Sequence, residues 1–95
     1  LAHNHFPEFL IKNGSKVFLN NKVKYLDSAD WHKGRGSYSL MKKDFSQDLF
    51  TAEALNFISA KKSNPFFIYF APIIPHDNGE APKGEMIESP TTEPY

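Results

Sequence analysis

The sequence predicts an α/β fold, and three stretches carry that expectation. An almost unbroken apolar run, Pro65-Phe66-Phe67-Ile68-Tyr69-Phe70-Ala71-Pro72-Ile73-Ile74-Pro75-His76, is bounded by prolines, the pattern of a strand buried on both faces. The stretch directly before it, 46–64, has helical apolar spacing, and helix followed by buried strand is half of a βαβ unit. Near the start, Asn13-Gly14 stands between two strand-forming runs, a hairpin signal.

Ninety-five residues suffice for one small domain. A parallel sheet covered on both faces needs more chain than this, so the expectation is a piece of a larger unit. A start at Leu1 rather than Met, and an end at Tyr95 within a Pro- and Glu-rich run, fit that expectation. Eleven basic and eleven acidic side chains cancel, so no global field draws the chain to nucleic acid or to an anionic membrane surface. The absence of cysteine excludes disulfides, thiolate zinc sites and thiol nucleophiles within these residues. No run approaches the roughly 20 apolar residues of a membrane helix, and no amino-terminal signal pattern is present.

In chain order, residues 1–21 read as a loop followed by a hairpin. Pro7 pushes Phe6 towards an extended conformation. An extended His3-Asn4-His5 would set both imidazoles on one face, as a metal pair requires, but no third ligand stands at a recognisable spacing. Polar loop residues with Phe6 packed inward are the expectation here. Phe9–Lys12 and Ser15–Leu19 flank Asn13-Gly14, which can supply the positive φ angles of a two-residue type I′ turn.

Residues 22–45 show poor periodicity and read as an irregular loop. Within it, Trp31-His32-Lys33-Gly34-Arg35-Gly36-Ser37 sets glycines beside cations, a composition compatible with an anion, yet the spacing fits no phosphate loop. A solvated loop is the default, although so long an unstructured stretch is more often functional than accidental. In the helix 46–64, Phe50, Ala54, Phe57 and Ile58 form one stripe, widened by Leu49 and Leu55. Ser46 is the expected N-cap, Asp48 and Lys61-Lys62 complement the helix dipole, and Asn64-Pro65 stops the helix.

Residues 65–76 form the expected central strand. Ligands bind beyond the carboxyl ends of strands in open α/β sheets, so His76 stands where chemistry is expected, followed by Asp77, Asn78, Gly79 and Glu80. Residues 77–95, rich in Pro, Gly and Glu, read as a loop or extended arm.

Three segments in this order resemble one family. They are Ala2-His3-Asn4-x-Phe6-Pro7-Glu8-x-Leu10-x-Lys12-Asn13-Gly14, Asp48-Leu49-Phe50-Thr51-x-Glu53-Ala54-Leu55-x-Phe57-Ile58, and Asn64-Pro65-Phe66-Phe67-x-Tyr69-x-Ala71 closing on Ile74-Pro75-His76. Each is weak alone; together they resemble the middle of arylsulfatase-type sulfatases, over almost the whole chain.

The resemblance implies an alkaline-phosphatase-like fold, a mixed-sheet sandwich to which this chain gives hairpin, helix and buried strand as an internal part of the catalytic domain. It implies a sulfuric ester hydrolase acting on a sulfated small molecule or glycan, in the periplasm or outside the cell. It also implies a formylglycine nucleophile and a divalent cation, usually calcium, both outside this chain. No cysteine and no Ser-x-Pro/Ser-x-Arg is present, so the chain alone is expected to be inactive.

One catalytic residue carries over. His76 resembles the family histidine that contacts the sulfate and helps to protonate the leaving oxygen, a role that suits an imidazole because its ordinary titration lies near neutrality. His3 lies in a motif that borders the substrate pocket in relatives and is the candidate substrate-binding residue. Relatives often carry a histidine where Leu1 stands, and Tyr-Ser-His-Asp where this chain has Phe45-Ser46-Gln47-Asp48. Asp77-Asn78-Gly79 imitates a calcium-binding tripeptide, but in the family that tripeptide ends a later strand; here it reads as a turn at the pocket rim, and no metal ligand is assigned. Two rival readings share these residues, namely a phosphoesterase of the same superfamily and a non-catalytic interaction module.

Overall fold

The computed structural model describes residues 3–26 and 36–90. They form a small mixed α/β arrangement of strands β1 (Phe9–Lys12), β2 (Ser15–Phe18), β3 (Lys22–Tyr25) and β4 (Ser37–Met41), followed by one helix, α1 (Ser46–Lys61). The strands make two antiparallel hairpins, β1 with β2 and β3 with β4.

The first hairpin follows from its turn. Asn13 and Gly14 both take positive φ, 52° and 81°, and the register runs from Lys12↔Ser15 to Phe9↔Phe18. The right-handed twist of that backbone matches the strands it joins, which is why Asn-Gly selects a two-residue loop. Phe9 and Phe18 meet across the strands at 5.9 Å between ring centroids, and Lys16 Nζ lies 4.2 Å from the centre of the Phe9 ring.

The second hairpin corrects the expectation of an irregular stretch over 22–45. Lys22-Val23-Lys24-Tyr25 alternates exposed lysines with half-buried Val23 and Tyr25, and pairs with Ser37–Met41 through a bulge between Lys22 and Val23. Four residues joined to their partner without a tight turn leave little periodicity to read. Most of the Trp31–Ser37 motif, residues 31–35, lies outside the described residues.

Helix α1 occupies most of the expected span, with Asp48 in its first turn and Lys61 in its last. Its N-cap is Phe45 rather than Ser46, and no side chain caps it. One orphan donor of the first turn is met by the chain itself, the Ser46 N–H donating to the His5 carbonyl at 2.9 Å. The helix is not long and apolar enough to cross a membrane.

The expected strand over 65–76 requires the largest correction. It joins no ladder among the described residues, whose strands pair only within the two hairpins. Its side chains nevertheless alternate. Phe67 and Tyr69 are 85% and 84% exposed, while Phe66, Ile68 and Phe70 stand at 43%, 38% and 44% on the side of the helix. Phe66 meets Phe57 of α1 edge-on at 5.6 Å. Between this segment and α1 runs an open apolar groove of about 550 Å³, lined by Phe50, Ala54, Phe57 and residues 67–71. The helix stripe, expected to be buried, is thus only partly covered; Leu55, Phe57 and Ile58 remain exposed.

Phe6 and Phe45 are the buried large apolar side chains among the described residues, 5.2 Å apart between ring centroids. Phe6 packs inward as the sequence predicts. Around this pair the interior is polar: Asn4, His5, Asn21, Ser37, Ser39, Asn78 and Glu88 are buried. The stretch 77–95, expected as a loop or extended arm, has no helix or strand over its described residues, 77–90, and packs back on this interior. Glu88 Oε2 accepts the His5 N–H at 2.8 Å, and Lys42 Nζ lies 3.4 Å from Glu88 Oε1. A buried carboxylate is retained only when paired in this way.

Candidate functional site

The two histidines singled out from sequence meet. The rings of His3 and His76 stack with centroids 4.7 Å apart and planes inclined by 12°. They come from opposite ends of the described chain, so the contact depends on how the buried polar tie is built.

Asn78 sits at its centre, fully buried. Its N–H donates to the Met86 carbonyl at 2.8 Å, its Nδ2 to the Ser37 carbonyl at 3.3 Å, and its Oδ1 accepts the Glu80 N–H at 3.2 Å. Ser37 is tied in turn to the amino-terminal loop, Asn4 Nδ2 donating to Ser37 Oγ at 3.1 Å. Asn4 Oδ1 accepts the Phe6 N–H at 3.0 Å and so turns the backbone on itself. One strand residue therefore holds both loops that carry the histidines. The turn expected at Asp77-Asn78-Gly79 falls one residue later, the Asn78 carbonyl accepting the Ala81 N–H at 3.0 Å, and the Asn78 amide is spent on structure.

Each imidazole faces an acceptor through Nδ1. His76 Nδ1 lies 2.6 Å from the Asp77 carbonyl oxygen and 3.5 Å from Asp77 Oδ1. A carbonyl can only accept, so Nδ1 of His76 carries the hydrogen, and Nε2 is the nitrogen left for chemistry. His3 Nδ1 lies 3.3 Å and 3.4 Å from the two carboxylate oxygens of Glu80. The same logic gives His3 an Nδ1–H that donates to Glu80. Both rings are largely exposed on their outer faces. The arrangement offers an accessible Nε2 for proton transfer on a ring whose other nitrogen and one face are already occupied.

His5, two residues from His3, is not part of this pair; it is buried against Phe45, with centroids 6.0 Å apart. His3 and His5 thus lie in different surroundings, one half-exposed beside Glu80 and the other buried beside Phe45. Among the described residues no group of three or more His, Asp or Glu side chains is arranged to hold a metal ion. Leu1 lies outside the described residues, and Gln47 is buried with Oε1 accepting the Ile73 N–H at 3.2 Å.

Glu80 is the site residue that reading the sequence missed. It was visible only as one of four polar residues after His76, and nothing in linear spacing points to a partner 77 positions away. Comparison with family models, with curated proteins and with solved structures gave no match.

Proposed function

We propose that this chain is an internal part of a sulfuric ester hydrolase of the arylsulfatase type, in which His76 delivers a proton to the departing oxygen of a sulfate ester. The observation that carries the reading is the stack of His3 on His76. Two segments that resemble separate sulfatase motifs come together at the residues those motifs would bring to a substrate pocket. In this reading the formylglycine nucleophile and the divalent cation, usually calcium, belong to other parts of the longer polypeptide; what this chain supplies is an oriented imidazole. As the S–O bond breaks, its electron pair goes to the leaving oxygen, and the Nε2 proton of the His76 imidazolium follows. The substrates are sulfated small molecules or glycans, met in the periplasm or outside the cell.

The unpaired 65–76 segment supports the same reading. Backbone groups without a ladder and apolar side chains on both faces are what a central strand shows when its neighbours are not beside it. The alkaline-phosphatase-like mixed sheet is the proposed setting, and its remaining strands come from the rest of the polypeptide.

The test is hydrolysis of sulfate esters with poor leaving groups, phenyl and alkyl sulfates, by the full-length polypeptide and by its His76→Ala variant. A loss of roughly 100- to 10,000-fold in kcat/KM is expected for removal of a general acid. Unchanged kcat/KM for His76→Ala would refute the assignment, and turnover of aryl phosphates instead of sulfates would move the protein to the phosphoesterases.

A further inference from the structure

We infer that Glu80, acting through His3, is a positioning residue that fixes the ring plane of His76; the catalytic part of this inference rests on the sulfatase reading above. Three contacts form one chain of constraint. The Glu80 carboxylate holds His3 Nδ1 at 3.3 Å, and the His3 ring lies flat on the His76 ring at 4.7 Å. His76 is then limited to the plane that keeps Nδ1 on the Asp77 carbonyl at 2.6 Å.

Glu80 is itself held. Its amide is fixed by buried Asn78, and its side chain fills the space beside Gly36, where any Cβ would collide with the Glu80 Cγ. A Cβ at 36 would therefore push the Glu80 side chain aside, and no positive φ calls for glycine there. Gly36 lies next to Ser37, the residue that ties both histidine loops, so one strand end fixes His3 from two directions.

The geometry has a definite chemical consequence. A proton donor must lie within hydrogen-bond reach of the leaving oxygen, along the line of its N–H bond. An imidazole free to swing about its side-chain torsions meets that condition for a fraction of the time; one clamped between a carbonyl and a stacked ring meets it throughout. The clamp matters most for substrates whose leaving alkoxide is a poor one, because a good leaving group departs without the proton.

The experiment uses the full-length polypeptide, with Glu80→Ala, Glu80→Gln and Gly36→Ala assayed on a series of sulfate esters from nitrophenyl to alkyl leaving groups. Glu80→Ala and Gly36→Ala should each lower kcat about 10- to 100-fold for the poorest leaving groups, with little change for nitrophenyl sulfate and little change in KM. Glu80→Gln, which keeps an acceptor of the same size, should restore most of the loss. A uniform loss across all leaving groups, or Glu80→Gln as impaired as Glu80→Ala, would overturn the inference. So would a full effect of His76→Ala together with none of Glu80→Ala, an outcome that leaves the sulfatase reading standing.

Ring nitrogen NMR of the same polypeptide separates the two ideas from the other side. If it turns over no sulfate ester, the sulfatase reading fails. Glu80→Ala must still shift the His76 ring signals, and unmoved signals would overturn the clamp.

Discussion

Asn21 uses its whole side-chain hydrogen-bonding capacity. Its Nδ2 donates to the carbonyls of Pro7 and Asp44 at 2.8 and 2.9 Å, and its Oδ1 accepts the N–H groups of Lys43 and Asp44 at 2.8 and 2.9 Å. Two donors and two acceptor sites are all an amide has, so this residue sews the amino-terminal loop to the entry of α1 with nothing left over. Asn21→Ala should cost about 3 kcal/mol, since it leaves several part-buried backbone groups without partners. A denaturant titration measures it, and a cost near zero would mean that water replaces the amide freely. Tyr25 gives a pH-dependent counterpart. Its hydroxyl donates to Glu8 Oε2 at 2.8 Å, and burial, then the bond to Glu8 and its charge, push the phenol above its ordinary 10.0. A raised value means that folding favours the neutral phenol. The stabilisation is present in full below about pH 10 and fades as pH rises through the folded-state value. Melting temperatures recorded from pH 8 to 12 should show the wild type losing its advantage over Tyr25→Phe at the alkaline end.

At the scale of elements, the first hairpin was legible because its turn chemistry is local: two residues dictate positive φ, and the flanking runs then have one register open to them. Gly14 at φ 81° is the residue that cannot change. Gly14→Val should destabilise the hairpin by about 1–2 kcal/mol, the cost of a left-handed conformation for a side chain with a Cβ, read as lost amide protection in Leu10 and Val17. The helix was legible for the same reason, from spacing within a few turns. Its N-cap was not, because the helix begins one residue early, at Ser46, whose own N–H is met by a carbonyl 41 positions upstream. The β3–β4 hairpin escaped notice because its partner strands are separated by a long connection, and the Asn4–Ser37–Asn78 tie because polar residues at such separations carry no periodic signal. The candidate site was half legible: His76 and His3 could be named, Glu80 could not. The 65–76 segment was read from its composition as buried, and composition does not state what does the burying. Its alternation remains, with Phe67 and Tyr69 turned outward. Phe67→Glu with Tyr69→Glu should suppress self-association of the 95-residue chain, seen by sedimentation, since paired charges on a bare strand face block edge and face pairing. Unchanged sedimentation would show that this face drives no association.

For the molecule as a whole, area tells the same story. A folded monomer of 10.8 kDa is expected to expose about 5,500 Å². This chain exposes 7574 Å². The radius of gyration, 15.2 Å, likewise exceeds the roughly 12 Å of a compact domain this long. The excess of about 2,000 Å² is the size of a substantial protein interface. Among the described residues, exposed large apolar side chains include Leu55, Phe57 and Ile58 of α1 and Phe66, Phe67, Ile68, Tyr69 and Phe70 after it.

The Glu88–His5 bond spans 83 positions, and it implies an order in time. Hairpins and helices form within microseconds from neighbours along the chain, whereas a closure this long must first overcome the entropy of a large loop. The two hairpins and α1 should therefore acquire amide protection early, and the His5 amide late, in pulse-labelled exchange during refolding. The stacked imidazoles share that late closure. Until it occurs His76 has only the adjacent Asp77 to hold it, and the stack with His3 forms once the chain has found its own beginning.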